Sequence, residues 1–226
     1  MLRRNTAKAS LPPPNAIIPP AMTDTSPTLD LNGYTPIPAG KIASVVTYLE
    51  LRARPAPMRE PDAALALRQV EAPRPDWYRA LFRRIGEDWL WMSRLELSDE
   101  ALLAIIGDPA VELYALSHEG AEVGLLELDF REAPALVELA FFGVVPEFTG
   151  AGAGRFLMNR ANEIVWSRPV ERFMVHTCTL DHPAAVGFYL KAGFAAYARA
   201  IEVADDPRLS GALRSSAAPQ LPVIKG

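Results

Sequence analysis

Between Glu138 and Leu157 the chain reads Glu-Leu-Ala-Phe-Phe-Gly-Val-Val-Pro-Glu-Phe-Thr-Gly-Ala-Gly-Ala-Gly-Arg-Phe-Leu. An apolar, strand-forming run passes through three alternating glycines, Gly150, Gly152 and Gly154, and straight into a helical stripe. That stripe is Phe156, Leu157, Ala161, Ile164 and Val165, opposite Arg155, Asn159, Arg160 and Glu163. Glycine at a helix start costs roughly 1 kcal/mol per residue against alanine, so three in alternation call for a reason. A strand that turns directly into a helix points the unpaired amides of the first helical turn at one spot, and missing β-carbons let an anion approach. The helix dipole favours negative charge there, and Arg155 adds a positive charge. The feature demands a fold in which a sheet strand feeds a helix at an anion-binding corner.

The flanking pattern supplies the rest of such a fold. Ile42–Leu51 is rich in β-branched and aromatic residues and reads as the first strand. A short apolar stretch follows at Ala64–Val70. Residues 76–85 then place Trp77, Tyr78, Leu81, Phe82 and Ile85 on one helical face. Ser98, with Asp99 and Glu100 behind it, reads as the N-cap of a helix reaching about Gly107. Val111–Ser117, Val123–Phe130 and Leu136–Val145 read as an antiparallel meander. After the glycine turn come a helix ending by Ser167–Pro169, a strand at Phe173–Thr179, a short helix at Pro183–Ala192 and a strand at Phe194–Val203. This order predicts an α+β domain whose central sheet is mixed and largely antiparallel, turning parallel in its second half and flanked by helices. The domain is expected to span 41–204.

Residues 1–40 are read as a disordered tail, with Arg3, Arg4, Lys8, no acid before residue 23 and prolines at 12, 13, 14, 19 and 20. A basic, acid-free start also fits an organelle targeting peptide, though the triple proline opposes the amphipathic helix such a peptide needs; a true start at Met22 is the other reading. Residues 205–226, with Pro207, Ser215, Ser216, Pro219 and Pro222, read as a flexible C-terminal tail.

Composition narrows the partners. Twenty-three basic and 27 acidic side chains give a net charge of -4, with no basic run to follow a nucleic acid. No stretch of about 18 apolar residues reads as a membrane span. The single cysteine, Cys178, and three scattered histidines, His118, His176 and His182, point to a reducing, cytoplasmic setting with no metal.

Other phosphate loops fit poorly. A P-loop needs Lys then Ser or Thr after its last glycine, where Arg155-Phe156 stands. A dinucleotide fold wants an acidic ribose ligand about 20 residues on, at the end of the next strand, and Phe173–Thr179 offers none. Residues 137–194 instead resemble the GNAT superfamily of N-acetyltransferases. Its coenzyme A signature, Arg/Gln-x-x-Gly-x-Gly/Ala, is matched by Gly152 and Gly154 in register, while Thr149 stands in place of the Arg or Gln. A second segment, His182-Pro-Ala-Ala-Val-Gly-Phe-Tyr-Leu-Lys-Ala-Gly-Phe194, is similar to the superfamily's Asn-x-x-Ala-x-x-Phe-Tyr-x-x-x-Gly-Phe, with histidine for asparagine.

The resemblance implies acetyl-CoA as co-substrate, with its pyrophosphate on the amides of Gly150, Ala151, Gly152, Ala153, Gly154 and Arg155. It implies pantetheine against the main chain of Phe142, Gly143 and Val144, with Val145-Pro146 closing the strand. A backbone N–H near Val144 would polarise the thioester carbonyl. The acceptor would be a primary amine of a small molecule or a protein, attacking directly in a ternary complex. Tyr189 holds the position that in many members protonates the departing thiolate; packing on the sheet beside Phe188 is the alternative. Glu138 sits in an apolar strand, where desolvation raises a carboxyl pKa and makes it a better base; it also aligns with the catalytic glutamate of histone-type members. A solvent-facing or arginine-paired Glu is the other reading. His182 either contacts coenzyme A or caps a helix. Cys178, with His176 or His182 beside it, is read as packing rather than as an acylated nucleophile. Trp77, Tyr78, Trp89 and Trp91 either line an amine pocket or pack in the core, with Asp76, Glu87 and Asp88 nearby. A non-catalytic acyl-CoA-binding module is the alternative function, and monomer and homodimer both stay open.

Overall fold

The computed structural model describes residues 29–61 and 64–225; expectations for residues 1–28 lie outside them. Residues 29–36 belong to a separate small unit, where Thr35 Oγ1 accepts from the Asp30 amide at 2.8 Å.

From Ile37 onward the chain builds one seven-stranded sheet in the order β2-β3-β4-β5-β6-β1-β7. The strands are β1 (Lys41–Leu51), β2 (Leu65–Gln69), β3 (Val111–His118), β4 (Ala121–Asp129), β5 (Val137–Val144), β6 (Phe173–Cys178) and β7 (Ala195–Asp205). The helices are α1 (Pro75–Gly86), α2 (Asp99–Ile106), α3 (Ala153–Val165), α4 (Ala185–Lys191) and α5 (Pro207–Ser210). The meander β3-β4-β5 pairs antiparallel, as its short polar turns require. The expected change to parallel is confined to one pairing, β5 with β6. The first strand, β1, lies between β6 and β7, antiparallel to both.

Strand parity assigns the faces. Glu127 of β4 sits opposite Phe141 of β5, and Asp129 opposite Glu138, with one residue extra on β5 between them. Glu127 is reached by the Tyr78 hydroxyl of α1 at 2.5 Å, so α1 covers the face that carries Glu138. Tyr78, Leu81, Phe82 and Ile85, the stripe expected from the sequence, are its buried residues. Proline at the first position and a side-chain cap from Ser98, which accepts from Ala101 at 3.1 Å, start α1 and α2 respectively. The neighbouring β5 residue Phe142 points to the other face, where it stacks on Phe188 of α4 and α3 buries Leu157, Met158, Ala161 and Val165.

The C-terminal segment departs from the expected loose tail. Arg208 and Asp206 form a buried ion pair at 2.7 Å, and Arg208 also donates to the carbonyls of Ala217, Ala218 and Leu221. Leu213, Ala217 and Ala218 then complete a second core with Ile42 and Leu90. An arginine that gathers carbonyls folds a proline-rich segment without any hydrophobic period for a sequence pattern to reveal.

Candidate active site

The site begins where β5 and β6 part. Their ladder holds only two rungs, Val137 with Phe173 and Glu138 with Met174. Beyond them β5 stays paired with β4 up to Val144, whereas β6 runs on beside β1. A wedge-shaped gap opens, with Glu138 at its vertex and the glycine turn at the far end of the β5 arm.

After β5, a short 3-10 turn at Pro146–Phe148 and an extended Thr149 lead into Gly150 and Gly152, at φ +83° and +94°. These left-handed angles suit glycine and strain other residues. Gly152 is the N-cap of α3 and offers no side chain to cap it. The turn's hydrogen bonds run from Ala151 to Phe148 and from Arg155 and Phe156 to Gly152. The amides of Gly150, Gly152, Ala153 and Gly154 donate to no acceptor among the described residues. A β-carbon at Gly150 would meet nothing within 4 Å, so this corner is open to an approaching group. The Arg155 Nε donates to the Arg59 carbonyl at 2.8 Å, and its guanidinium lies against Gly152, beside the free amides. Partnerless amides, two left-handed glycines and a nearby guanidinium fit the pyrophosphate of coenzyme A.

Gly143 has a different explanation from ligand approach. A β-carbon there would sit 2.4 Å from Ile85 Cγ2 and 3.1 Å from the Trp91 ring, so the glycine lets α1 and Trp91 close onto β5. Trp91 packs against Phe82 and Phe141, and its Nε1 donates to Asp181 Oδ1 at 3.0 Å. The other Asp181 oxygen accepts from Thr177 Oγ1 and the Cys178 amide, both at 2.8 Å. Trp91 therefore bridges the gap between the two arms.

Tyr189 of α4 is buried among Phe142, Phe188 and Phe194. Burial, and then the charge of Asp181, push its phenol pKa well up, so it carries its proton at any ordinary pH. His182 makes a local bond ahead of α4: Nδ1 accepts from the Ala184 amide at 3.1 Å, and its ring meets Trp89 edge-on. Trp77 and Tyr78 serve packing, the first donating to Glu122 at 2.6 Å and the second fully buried. Asp76 pairs with Arg74, while Glu87 and Asp88 pair with Arg214.

His176, weighed from sequence only as an activator of Cys178, lies with its Nε2 3.4 Å from Glu138 Oε1. Partial burial pulls the imidazole pKa down, but the adjacent carboxylate of Glu138 and the charges of Asp181 and Glu202 outweigh it, so the net shift is upward. Burial and Asp181 raise the Cys178 thiol, the opposite of what a nucleophile needs. The Glu138–His176 meeting depends on the β5–β6 register, which no local pattern encodes. Glu127, by contrast, left a signal: a carboxylate set between Leu126 and Leu128 in the apolar stretch of β4. It is fully buried and paired with Arg94 at 2.6 Å.

The sequence model of the Acetyltransferase (GNAT) family matches residues 73–194, more than half of the 226 residues, and the chain belongs to this family. Among solved structures it is similar to a GCN5-related N-acetyltransferase from Sphaerobacter thermophilus, with 15% identity and a TM-score of 0.52 over 73% of this chain and 52% of that one. A functionally unknown conserved protein from Staphylococcus epidermidis gives 13% identity and a TM-score of 0.51, over 73% of this chain and 62% of that one. A putative GNAT-family acetyltransferase from Novosphingobium aromaticivorans gives 17% and 0.50, over 76% of this chain and 70% of that one. The chain thus spans little more than half the length of the first two. These likenesses establish the fold. No curated protein matches the chain. Among the described residues, no helix is long and apolar enough to cross a membrane.

Proposed function

We propose that the protein transfers an acetyl group from acetyl-CoA to a primary amine of a small molecule or a protein, by direct attack within a ternary complex. The observation that carries this reading is the row of partnerless amides at Gly150, Gly152, Ala153 and Gly154, at the end of a strand that diverges from its parallel neighbour at Glu138. Coenzyme A would lie along the β5 arm, past Phe142, Gly143, Val144 and Val145, with its pyrophosphate on the amides from Gly150 to Arg155 and Thr149 and His182 at the edges. Glu138 stands as the carboxylate that drives loss of the amine proton, and Tyr189 as the acid for the departing thiolate. The bonds balance: an ammonium sheds one proton, its nitrogen bonds to the thioester carbon, the C–S bond breaks, and the thiolate takes the second proton. An intracellular, reducing compartment fits the single cysteine.

The second reading is a non-catalytic acyl-CoA-binding module, which Thr149 in the signature and the deep burial of Tyr189 favour. One assay separates the two. Ligand at 100 times its dissociation constant adds about 2.7 kcal/mol of stability, so a thermal shift with acetyl-CoA is expected under either reading. Thiol release with an amine panel is expected only from the enzyme. No shift at millimolar acetyl-CoA overturns both.

A further inference from the structure

We propose that His176 is the catalytic base that takes the acceptor's proton, at Nδ1, and that Glu138 positions it through Nε2. The inference rests on the acetyltransferase reading above.

Three observations carry it. His176 and Met174 point to the same face of β6, and Met174 pairs with Glu138, so the imidazole stands one step past the vertex of the gap, on the face that α1 covers. Its Nε2 faces Glu138 Oε1 at 3.4 Å. With Nε2 donating to that carboxylate, the neutral ring keeps its lone pair on Nδ1. Finally, the His176 side chain is 48% exposed and that of Glu138 16%. The imidazole is therefore the member of the pair that an incoming ammonium meets first, with the carboxylate behind it. This is the logic of an acid–imidazole pair, where the carboxylate fixes tautomer and orientation and steadies the imidazolium that forms.

The groups around the ring support the charge change. Tyr48 of β1 lies directly opposite, with ring centroids 5.8 Å apart. Glu202 of β7 and Asp181 after β6 add negative charge that favours imidazolium. Cys178 shares the face and stays a thiol. Glu50 of β1 is already engaged by Arg172 and Arg52. The ammonium proton passes to Nδ1 and on to water, the free amine attacks, and the proton lost as the C–N bond forms ends on the coenzyme A sulfur.

The test uses the full chain saturated with acetyl-CoA. Nitrogen-15 NMR resolves the rings, since the chain has three histidines. Expected is a neutral His176 protonated on Nε2, titrating above the ordinary imidazole value, with Glu138→Gln moving that titration down. In thiol-release kinetics with spermidine, phenethylamine and a lysine-bearing peptide as probes, His176→Gln is expected to lower kcat by about 10²–10⁴-fold. Its KM for acetyl-CoA and its melting temperature should hold. Glu138→Gln should shift the acid limb of the kcat profile to lower pH. An Nδ1–H tautomer, or a His176→Gln enzyme with wild-type kcat, overturns the assignment while leaving the transferase reading standing. Acetyl-CoA binding without thiol release from any probe overturns both.

Discussion

The Trp91 indole donates to Asp181 across 3.0 Å, and this bond ties the exit of α1 to the end of β6 over the gap between β5 and β6. Asp181 also caps that end of β6 by accepting from Thr177 and Cys178, so one carboxylate holds three donors. Removing it leaves donors unpaired in a partly buried setting, at up to about 1–3 kcal/mol for each group left unsatisfied. Asp181→Ala is expected to lower unfolding stability by about 2–4 kcal/mol. Trp91→Phe keeps most of the packing and should lose only about 1 kcal/mol. Urea unfolding of both variants is the measurement, and an Asp181→Ala loss within about 0.5 kcal/mol, as for a plain surface change, would show the tie to be incidental.

The glycine turn makes opposite predictions for two neighbouring glycines. Gly152 combines φ +94° with a would-be β-carbon 2.8 Å from Arg155 Nη2 and 3.0 Å from Pro61. Gly152→Ala should therefore cost about 1–3 kcal/mol and weaken acetyl-CoA binding by turning the amides away. Gly154 lies inside α3, and its β-carbon would meet Phe188 at an ordinary 3.7 Å. There the helix gains from alanine, so Gly154→Ala should stabilise by about 0.5–1 kcal/mol and leave acetyl-CoA affinity within a few-fold. Calorimetric titration and thermal melts of the pair give the comparison.

Local features of this fold were legible because local chemistry writes them. The α1 stripe, the Ser98 cap, the meander and the strand-to-helix glycine turn each lie within a short window of sequence. The position of β1 between β6 and β7 was not, since its partners, such as Val175 for Leu49, are contributed from the far end of the chain. The same holds for His176, whose partner Glu138 is set by the parallel register. Gly143 shows the complementary limit. It stands on the strand expected to meet pantetheine, yet the need for it comes from Ile85 and Trp91 pressing on its α-carbon.

Behind the site, Glu127 holds a buried charge pair with Arg94, which also lies over the Phe141 ring. The Tyr78 hydroxyl donates to the same carboxylate. Glu127→Ala leaves the guanidinium buried and unpaired, a change that costs about 3–5 kcal/mol. Replacing both charges, Arg94→Met with Glu127→Leu, should recover most of that loss, because well-packed apolar pairs often match a buried ion pair. A double-mutant cycle by chemical unfolding reads the coupling. Near-additive losses would mean that the two side chains act independently.

The C-terminal segment gives a prediction in pH. Arg208 hydrogen bonds hold the Asp206 carboxyl below the usual carboxylate value, against a smaller opposing effect of burial. A carboxyl depressed in the fold binds its proton more readily when unfolded, so its stabilisation is present above the unfolded value of about 4 and lost as pH falls through the lower folded one. Asp206→Asn should therefore be less stable than wild type at pH 7, and the difference should shrink as pH falls from about 4 toward 2. Arg208→Ala strands the buried carboxylate and frees three carbonyls, and is expected to cost about 3–5 kcal/mol while loosening Leu213 and Ala217 from Ile42 and Leu90. Amide hydrogen exchange over residues 207–221 checks it: rapid exchange already in the wild-type chain would mean that the segment contributes little to the fold.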